Sequence, residues 1–180
     1  MRCVSVVSSP ASRKPQRSFA RALMLGASLT VMASNPGSVL ADQITRSVDV
    51  QASPSAVWST IGPFCAVKDW LPPVGSCAED GAERPTRTLI TKDGTAKFVE
   101  LQTARSESEH FYTYVFLSSP LPVTHYTATL RVAPRPSGGS TVIWQGTYTP
   151  MQGKEKDAND ALTGIYRAGL DEIQARFAER

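Results

Sequence analysis

The sequence predicts an α+β domain in which a curved antiparallel sheet wraps one long C-terminal helix. Three observations carry the prediction. A short Pro-led helix stands near the front, a series of alternating, β-branched and aromatic segments follows between turn residues, and the closing stretch repeats apolar residues every three or four positions. Such a wrap tends to enclose a cavity.

The elements follow in order. Ile44, Val48 and Val50 alternate with Arg46, Ser47, Asp49 and Gln51, which reads as an entry strand. Ser53-Pro54 supplies an N-cap and a favoured first helical residue for a helix carrying Val57, Trp58 and Ile61 on one face. Gly62-Pro63 stops it, and 64–73 is expected to form a short second helix or turn ending at Pro72-Pro73. Asp93-Gly94 is a strong hairpin signal. Centring the loop there sets Arg87 opposite Glu100, Leu89 opposite Phe98 and Thr91 opposite Ala96. A turn near 106–108 leads into Phe111–Leu117. A three-residue loop would place Tyr112 across from Gln102 and Tyr114 across from Glu100, and a two-residue loop would reverse the faces. The odd loop is preferred because it gathers Arg87, Glu100, Tyr112, Tyr114, Phe98 and Phe116 on one side.

Pro120-Leu121-Pro122 bends the chain before a strand over Tyr126–Val132, and the Pro- and Gly-containing stretch 134–140 turns it into a last strand over Thr141–Thr149. That turn sets Leu130 near Trp144 and Tyr126 near Tyr148. From about Gly153 or Asp157 the period becomes helical through Ala158, Leu162, Ile165, Tyr166, Gly169, Leu170, Ile173 and Phe177. Gly164 and Gly169 each cost about 1 kcal/mol relative to Ala in such a helix. Close approach to the sheet, or room for a ligand, would explain them.

Residues 1–41 differ in kind. Arg2, Arg13, Lys14, Arg17 and Arg21 precede an apolar stretch from Ala22 to Ala33, the pattern of a secretory signal whose apolar part is too short for a permanent span. Cleavage is expected before Asp42, after Val39-Leu40-Ala41, with Val31-Met32-Ala33 the second choice, giving a periplasmic or secreted protein. Five of the 19 basic residues and none of the 16 acidic ones lie in this leader, so residues 42–180 carry 14 basic against 16 acidic groups, a net of −2. Nucleic-acid binding is therefore not expected. The remaining 139 residues suit one domain. Cys65 and Cys77 bracket a Pro-rich loop and form a disulfide if the compartment is oxidising; otherwise they are two small buried hydrophobes.

Several segments together resemble the START-like superfamily, also called SRPBCC, and within it the bacterial polyketide cyclase/dehydrase and lipid-transport branch. They are Ser53 to Trp58, Phe64 to Trp70 with Pro72, Arg87-Thr88-Leu89 with Glu100, Pro120 to Thr124, Tyr126 to Val132, Trp144, and Gly164 to Leu170. The resemblance covers 44–178 and implies a helix-grip fold: a seven-stranded antiparallel sheet, two short helices after strand 1, and a C-terminal helix over an apolar cavity. Its members bind lipids, sterols, polyketides and other hydrophobic molecules, and only some are enzymes. Similar sequences often read Trp-His-Pro where this chain has Trp70-Leu71-Pro72, which removes one acid/base group.

No phosphate-cradling loop, nucleophile elbow or metal-ligand set is present in the sequence, and no cofactor is called for. His110 and His125 fall at turn or strand-start positions that mark neither as a base. Arg87 and Glu100 are the candidate polar pair, with forked donors and an acceptor for the polar end of a ligand, or else a structural ion pair. Trp70, Leu89, Phe98, Tyr112, Tyr114, Phe116, Tyr126, Trp144, Tyr148, Tyr166 and Gly169 are the candidate binding residues, with plain core as the alternative for each. Three readings result: a carrier of a hydrophobic small molecule; a cyclase/dehydrase-type enzyme using Glu100 or Arg87; and an accessory protein of a periplasmic redox system, with a protein partner.

Overall fold

The computed structural model describes residues 41–178; the expected leader lies outside them except for Ala41. Seven strands form one antiparallel sheet in the order β1-β7-β6-β5-β4-β3-β2. They are β1 (Asp42–Val50), β2 (Val74–Glu79), β3 (Thr86–Thr91), β4 (Lys97–Ser106), β5 (Phe111–Ser118), β6 (Val123–Pro134) and β7 (Ser140–Pro150). Between β1 and β2 come α1 (Pro54–Ile61), a 3-10 turn (Phe64–Ala66) and α2 (Val67–Trp70), and α3 (Glu155–Arg176) closes the chain. This is the expected helix-grip architecture.

Local chemistry explains the helices. Ser53 accepts a hydrogen bond from the Ala56 N–H at 3.4 Å, Pro54 opens α1, and Val57, Trp58 and Ile61 are its buried face. In α3 the buried residues Ala158, Leu162, Tyr166, Gly169, Leu170 and Ile173 repeat at helical spacing. Acidic Glu155 and Asp157 lie in its first turn and Arg176 in its last, which suits the helix dipole. Gly169 serves close approach: a Cβ there would meet Leu71, Trp70 and Trp144 side chains at 3.0 Å each. Gly146 in β7 does the same for α3, since a Cβ would stand 2.5 Å from the Tyr166 hydroxyl.

The β3–β4 register is the expected one, with Arg87 opposite Glu100 and Leu89 opposite Phe98. Leu130 lies opposite Trp144 as read. Two expectations need correction. Across β4–β5, Gln102 faces Tyr114 and Glu100 faces Phe116, a slip of two from the expected register. The loop is a four-residue turn over 107–110, which moves the register by three, and a bulge at Thr103 takes back one, so the facing of the aromatic residues survives while their partners change; a second bulge, at Leu117, lies beyond the Glu100–Phe116 pair. The second correction is at β6, where a bulge between Thr124 and Thr127, with His125 at φ +51°, takes Tyr126 out of the ladder opposite Tyr148. Strand β2 was implied by the resemblance and not by local pattern.

The core lies between the concave sheet face and α3. All three tryptophans and all five tyrosines of the chain are buried. Trp144 stacks on Tyr166 with centroids 4.2 Å apart, and Trp70 meets Trp144 edge-on at 5.5 Å.

Candidate functional site

A cavity of about 170 Å³ opens between α2, α3 and strands β3 to β7. Its walls are overwhelmingly apolar. The α2 region supplies Val67, Leu71, Pro73 and Val74, and α3 supplies Leu162 and Ile165. The sheet adds Arg87, Leu89 and Thr91 from β3, Phe98 and Glu100 from β4, Tyr114 and Phe116 from β5, Tyr126 from β6 and Trp144 from β7. Period-two alternation brings these side chains to one face, and the Thr103 bulge after the four-residue turn keeps Glu100 on the same face as Tyr114 and Phe116.

The charged pair sits in this wall. Arg87 is 1% exposed and Glu100 4% exposed, and Arg87 Nε donates to Glu100 Oε2 at 2.5 Å. Arg87 Nη1 also donates to the Phe64 carbonyl, and the guanidinium lies 3.9 Å from the Phe64 ring centroid. The 3-10 turn thus fixes the arginine from above while β4 fixes it from the side. Burial is the largest single influence on Arg87 and opposes its charge, while the attraction of Glu100 leads those that hold the guanidinium above its ordinary pKa. Burial raises Glu100 above the usual carboxylate range, and Arg87 recovers only part of that. The 2.5 Å contact with Glu100 makes each group the other's counter-ion, and the Phe64 carbonyl adds a second acceptor for the guanidinium.

A hydrogen-bond chain runs across the cavity roof. Trp144 Nε1 donates to the Tyr114 hydroxyl at 3.2 Å, that hydroxyl lies 3.3 Å from Tyr126 Oη, and Tyr126 lies 2.8 Å from Tyr166 Oη. Burial pushes Tyr114 and Tyr126 well above the ordinary phenol range, so these groups stay neutral donors and acceptors.

Of the residues named from sequence, Arg87, Leu89, Phe98, Glu100, Tyr114, Phe116, Tyr126 and Trp144 are brought together around the cavity. Trp70, Tyr112, Tyr148, Tyr166 and Gly169 do not line it. Tyr112 packs edge-on against Phe64 at 5.4 Å, and Tyr166 and Gly169 pack against Trp144. Tyr148 is buried in β7, paired with Asp42 of β1. His110 and His125, both at φ +51°, also lie outside the lining. Sequence reasoning missed Val67, Leu71, Pro73, Val74, Thr91, Leu162 and Ile165. The i,i+4 spacing of Val67 and Leu71 was the available signal for α2. Leu71, at the position where similar sequences often carry histidine, extends the apolar wall.

Cys65 and Cys77 form a disulfide with Cα atoms 5.5 Å apart, which joins the 3-10 turn to β2 and spans the segment that supplies Val67 to Val74. Among the described residues, no group of three or more His, Cys, Asp or Glu is placed to hold a metal, and no helix is long and apolar enough to cross a membrane.

The sequence profile described as polyketide cyclase / dehydrase and lipid transport matches residues 41–178. Among solved structures, the protein XoxI from Bacillus cereus is 33% identical, with a TM-score of 0.71 over 76% of this chain and 96% of that one. The ZhuI aromatase/cyclase from Streptomyces sp. R1128 is 14% identical, with a TM-score of 0.62 over 76% of this chain and 93% of its own. Truncated norcoclaurine synthase from Thalictrum flavum is 19% identical, with a TM-score of 0.64 over 81% and 99%. At the distance of these last two, the likeness is one of fold alone. No curated protein matches the sequence.

Proposed function

We propose, from the premise that this chain belongs to the polyketide cyclase/dehydrase and lipid-transport family, that it is an exported binding protein for a small hydrophobic or amphipathic molecule. The observation that carries this reading is an apolar cavity of about 170 Å³ whose wall contains one buried, mutually bonded Arg87–Glu100 pair. Apolar walls provide affinity by removing ligand surface from water, and a few fixed polar groups orient the ligand. Fold alone would not support it, since the same architecture hosts several activities. Export is supported by the leader pattern of residues 1–41, by β1 beginning at Asp42 directly after the expected cleavage site, and by the Cys65–Cys77 disulfide.

Native mass spectrometry of the protein purified from an oxidising compartment tests the reading. A stoichiometric small molecule released on denaturation is the expected result. An apo mass together with no saturable binding of an apolar fluorophore would overturn it. A lyase-type reaction is the second reading. It rests on Glu100, a cavity-wall carboxylate held above its usual range whose one side-chain hydrogen bond among the described residues is made through Oε2. Turnover of a released compound, lost in Glu100→Gln with binding retained, would favour it over simple carriage.

A further inference from the structure

We infer that the molecule held in this cavity is an uncharged hydroxyl compound of about one ring, its hydroxyl hydrogen given to Glu100 and its lone pairs facing Arg87 and Tyr114. The inference rests on the cavity being the binding site, and three independent observations define the ligand's polar end.

The first is charge. Arg87 and Glu100 are the charged residues of the lining, and they neutralise each other at 2.5 Å. A ligand carboxylate or ammonium would bring an unmatched charge into an apolar enclosure, where burial without a counter-ion is heavily penalised.

The second is the inventory of unused groups. Glu100 Oε2 is taken by Arg87 Nε, the one hydrogen bond Glu100's side chain makes among the described residues, so Oε1 remains for a ligand. Arg87 spends Nε on Glu100, one Nη1 hydrogen on the Phe64 carbonyl and a further hydrogen on the Tyr112 hydroxyl, which leaves two of its five N–H groups for a ligand. Tyr114 already accepts from Trp144 Nε1, a group that can only donate, so its own hydrogen is directed onward. Its recorded neighbour in that direction, Tyr126 Oη, is 3.3 Å away, a long contact that a ligand oxygen can replace. The wall therefore presents one acceptor and two donors. A hydroxyl, with one hydrogen and two lone pairs, is the complement of that set. A ketone or ester would leave Glu100 Oε1 unmatched, and a hydrocarbon would leave all three.

The third is size. A dry cavity of about 150 Å³ is known to hold benzene. At about 170 Å³ this one admits a single ring with a short substituent.

The test uses the protein purified from an oxidising compartment and four para-related probes at pH 7: 4-ethylphenol, ethylbenzene, 4-ethylbenzoate and 4-ethylbenzylamine. Calorimetry is expected to show 4-ethylphenol binding about tenfold or more tighter than ethylbenzene, the magnitude of a hydrogen bond to a charged partner. The two charged probes are expected to bind more weakly than ethylbenzene. Tyr114→Phe, with its fold checked by circular dichroism, is expected to lower the ratio of phenol to ethylbenzene affinity about fivefold, and an unchanged ratio would remove Tyr114 from the hydroxyl's partners. Equal affinity for the phenol and the hydrocarbon would remove the hydroxyl assignment and leave the cavity as the binding site. Tighter binding of either ion than of the phenol would overturn the assignment outright. Failure of all four probes to bind would overturn the binding-site reading and this inference with it.

Discussion

The Arg87–Glu100 pair invites a direct test, because its two single substitutions should respond differently to acid. At neutral pH, removing either partner strands the other in a site that is 1% to 4% exposed. Unit charges about 4 Å apart at an effective dielectric of about 20 attract by about 4 kcal/mol. That agrees with the 3–5 kcal/mol typical of breaking a buried pair. For a domain of this size, it corresponds to a fall in Tm of roughly 10–20 °C. Glu100→Gln leaves a guanidinium that cannot lose its proton, so its deficit stays constant from pH 7 to pH 5. Arg87→Met leaves a carboxyl that can be neutralised. Glu100 is already raised above its unfolded value in the native protein, and without Arg87 it rises further. A group raised in this way contributes stability that is present at low pH and lost as pH rises through its folded pKa. The Arg87→Met deficit should therefore shrink on going from pH 7 to pH 5. Combining Arg87→Met with Glu100→Leu should bring stability back near that of the native protein. Urea unfolding at the two pH values measures all of this. Single-mutant costs below about 1 kcal/mol, or parallel pH profiles for the two variants, would refute the picture of an enclosed ionised pair.

Three further outcomes follow from the packing and the surface. Gly164→Ala, with no atom within 4 Å of the new Cβ, should stabilise the protein by up to about 1 kcal/mol, whereas Gly169→Ala gains the same helix propensity but loses about 1–3 kcal/mol to overpacking against Trp70, Leu71 and Trp144; thermal melts that rank the two variants the other way would contradict the assigned packing. Reducing Cys65–Cys77, whose partners are 12 positions apart, should cost about 3 kcal/mol by releasing the unfolded chain, and Cys77→Ser should then show no further loss with reductant. Glu107 accepts from Trp58 Nε1 at 2.6 Å and pairs with Arg105, which hold its carboxylate below the usual range. A lowered folded pKa contributes stability present above the unfolded value and lost as pH falls, so the advantage of the native protein over Glu107→Gln should be visible in melts at pH 7 and diminish at pH 3.

How much of this was legible in the chain differs by element. Turn chemistry at Asp93-Gly94 set the β3–β4 register and with it the Arg87–Glu100 pair. The facing of Tyr112, Tyr114 and Phe116 was read correctly from period-two patterning, while the β4–β5 register was not. The longer turn and the Thr103 bulge together shift partners by two without changing which face a residue occupies, so alternation is blind to them. Strand β2 was hidden because only Val74 in it is buried; as an edge strand it carries little apolar periodicity. In the site, sheet residues were found more readily than helical ones. The apolar stripe of α3 was clear, yet Leu162 and Ile165 line the cavity while Tyr166 and Gly169 pack against Trp144. That division depends on where the helix crosses the sheet, a tertiary quantity that no local spacing encodes.

The burial of every tyrosine sets an upper limit on the conditions this fold can survive. Tyr112, Tyr114, Tyr126, Tyr148 and Tyr166 all have their phenols raised above the ordinary value near 10, with burial the first cause in each. Stability from such groups is complete below that value and drains away as the solution becomes more alkaline. Once all five ionise in the unfolded chain but not in the folded one, the loss reaches about 7 kcal/mol per pH unit. Phenolate absorbance should therefore appear late and all at once, in step with collapse of the far-ultraviolet dichroism, so that the chain's own chromophores report its unfolding in base.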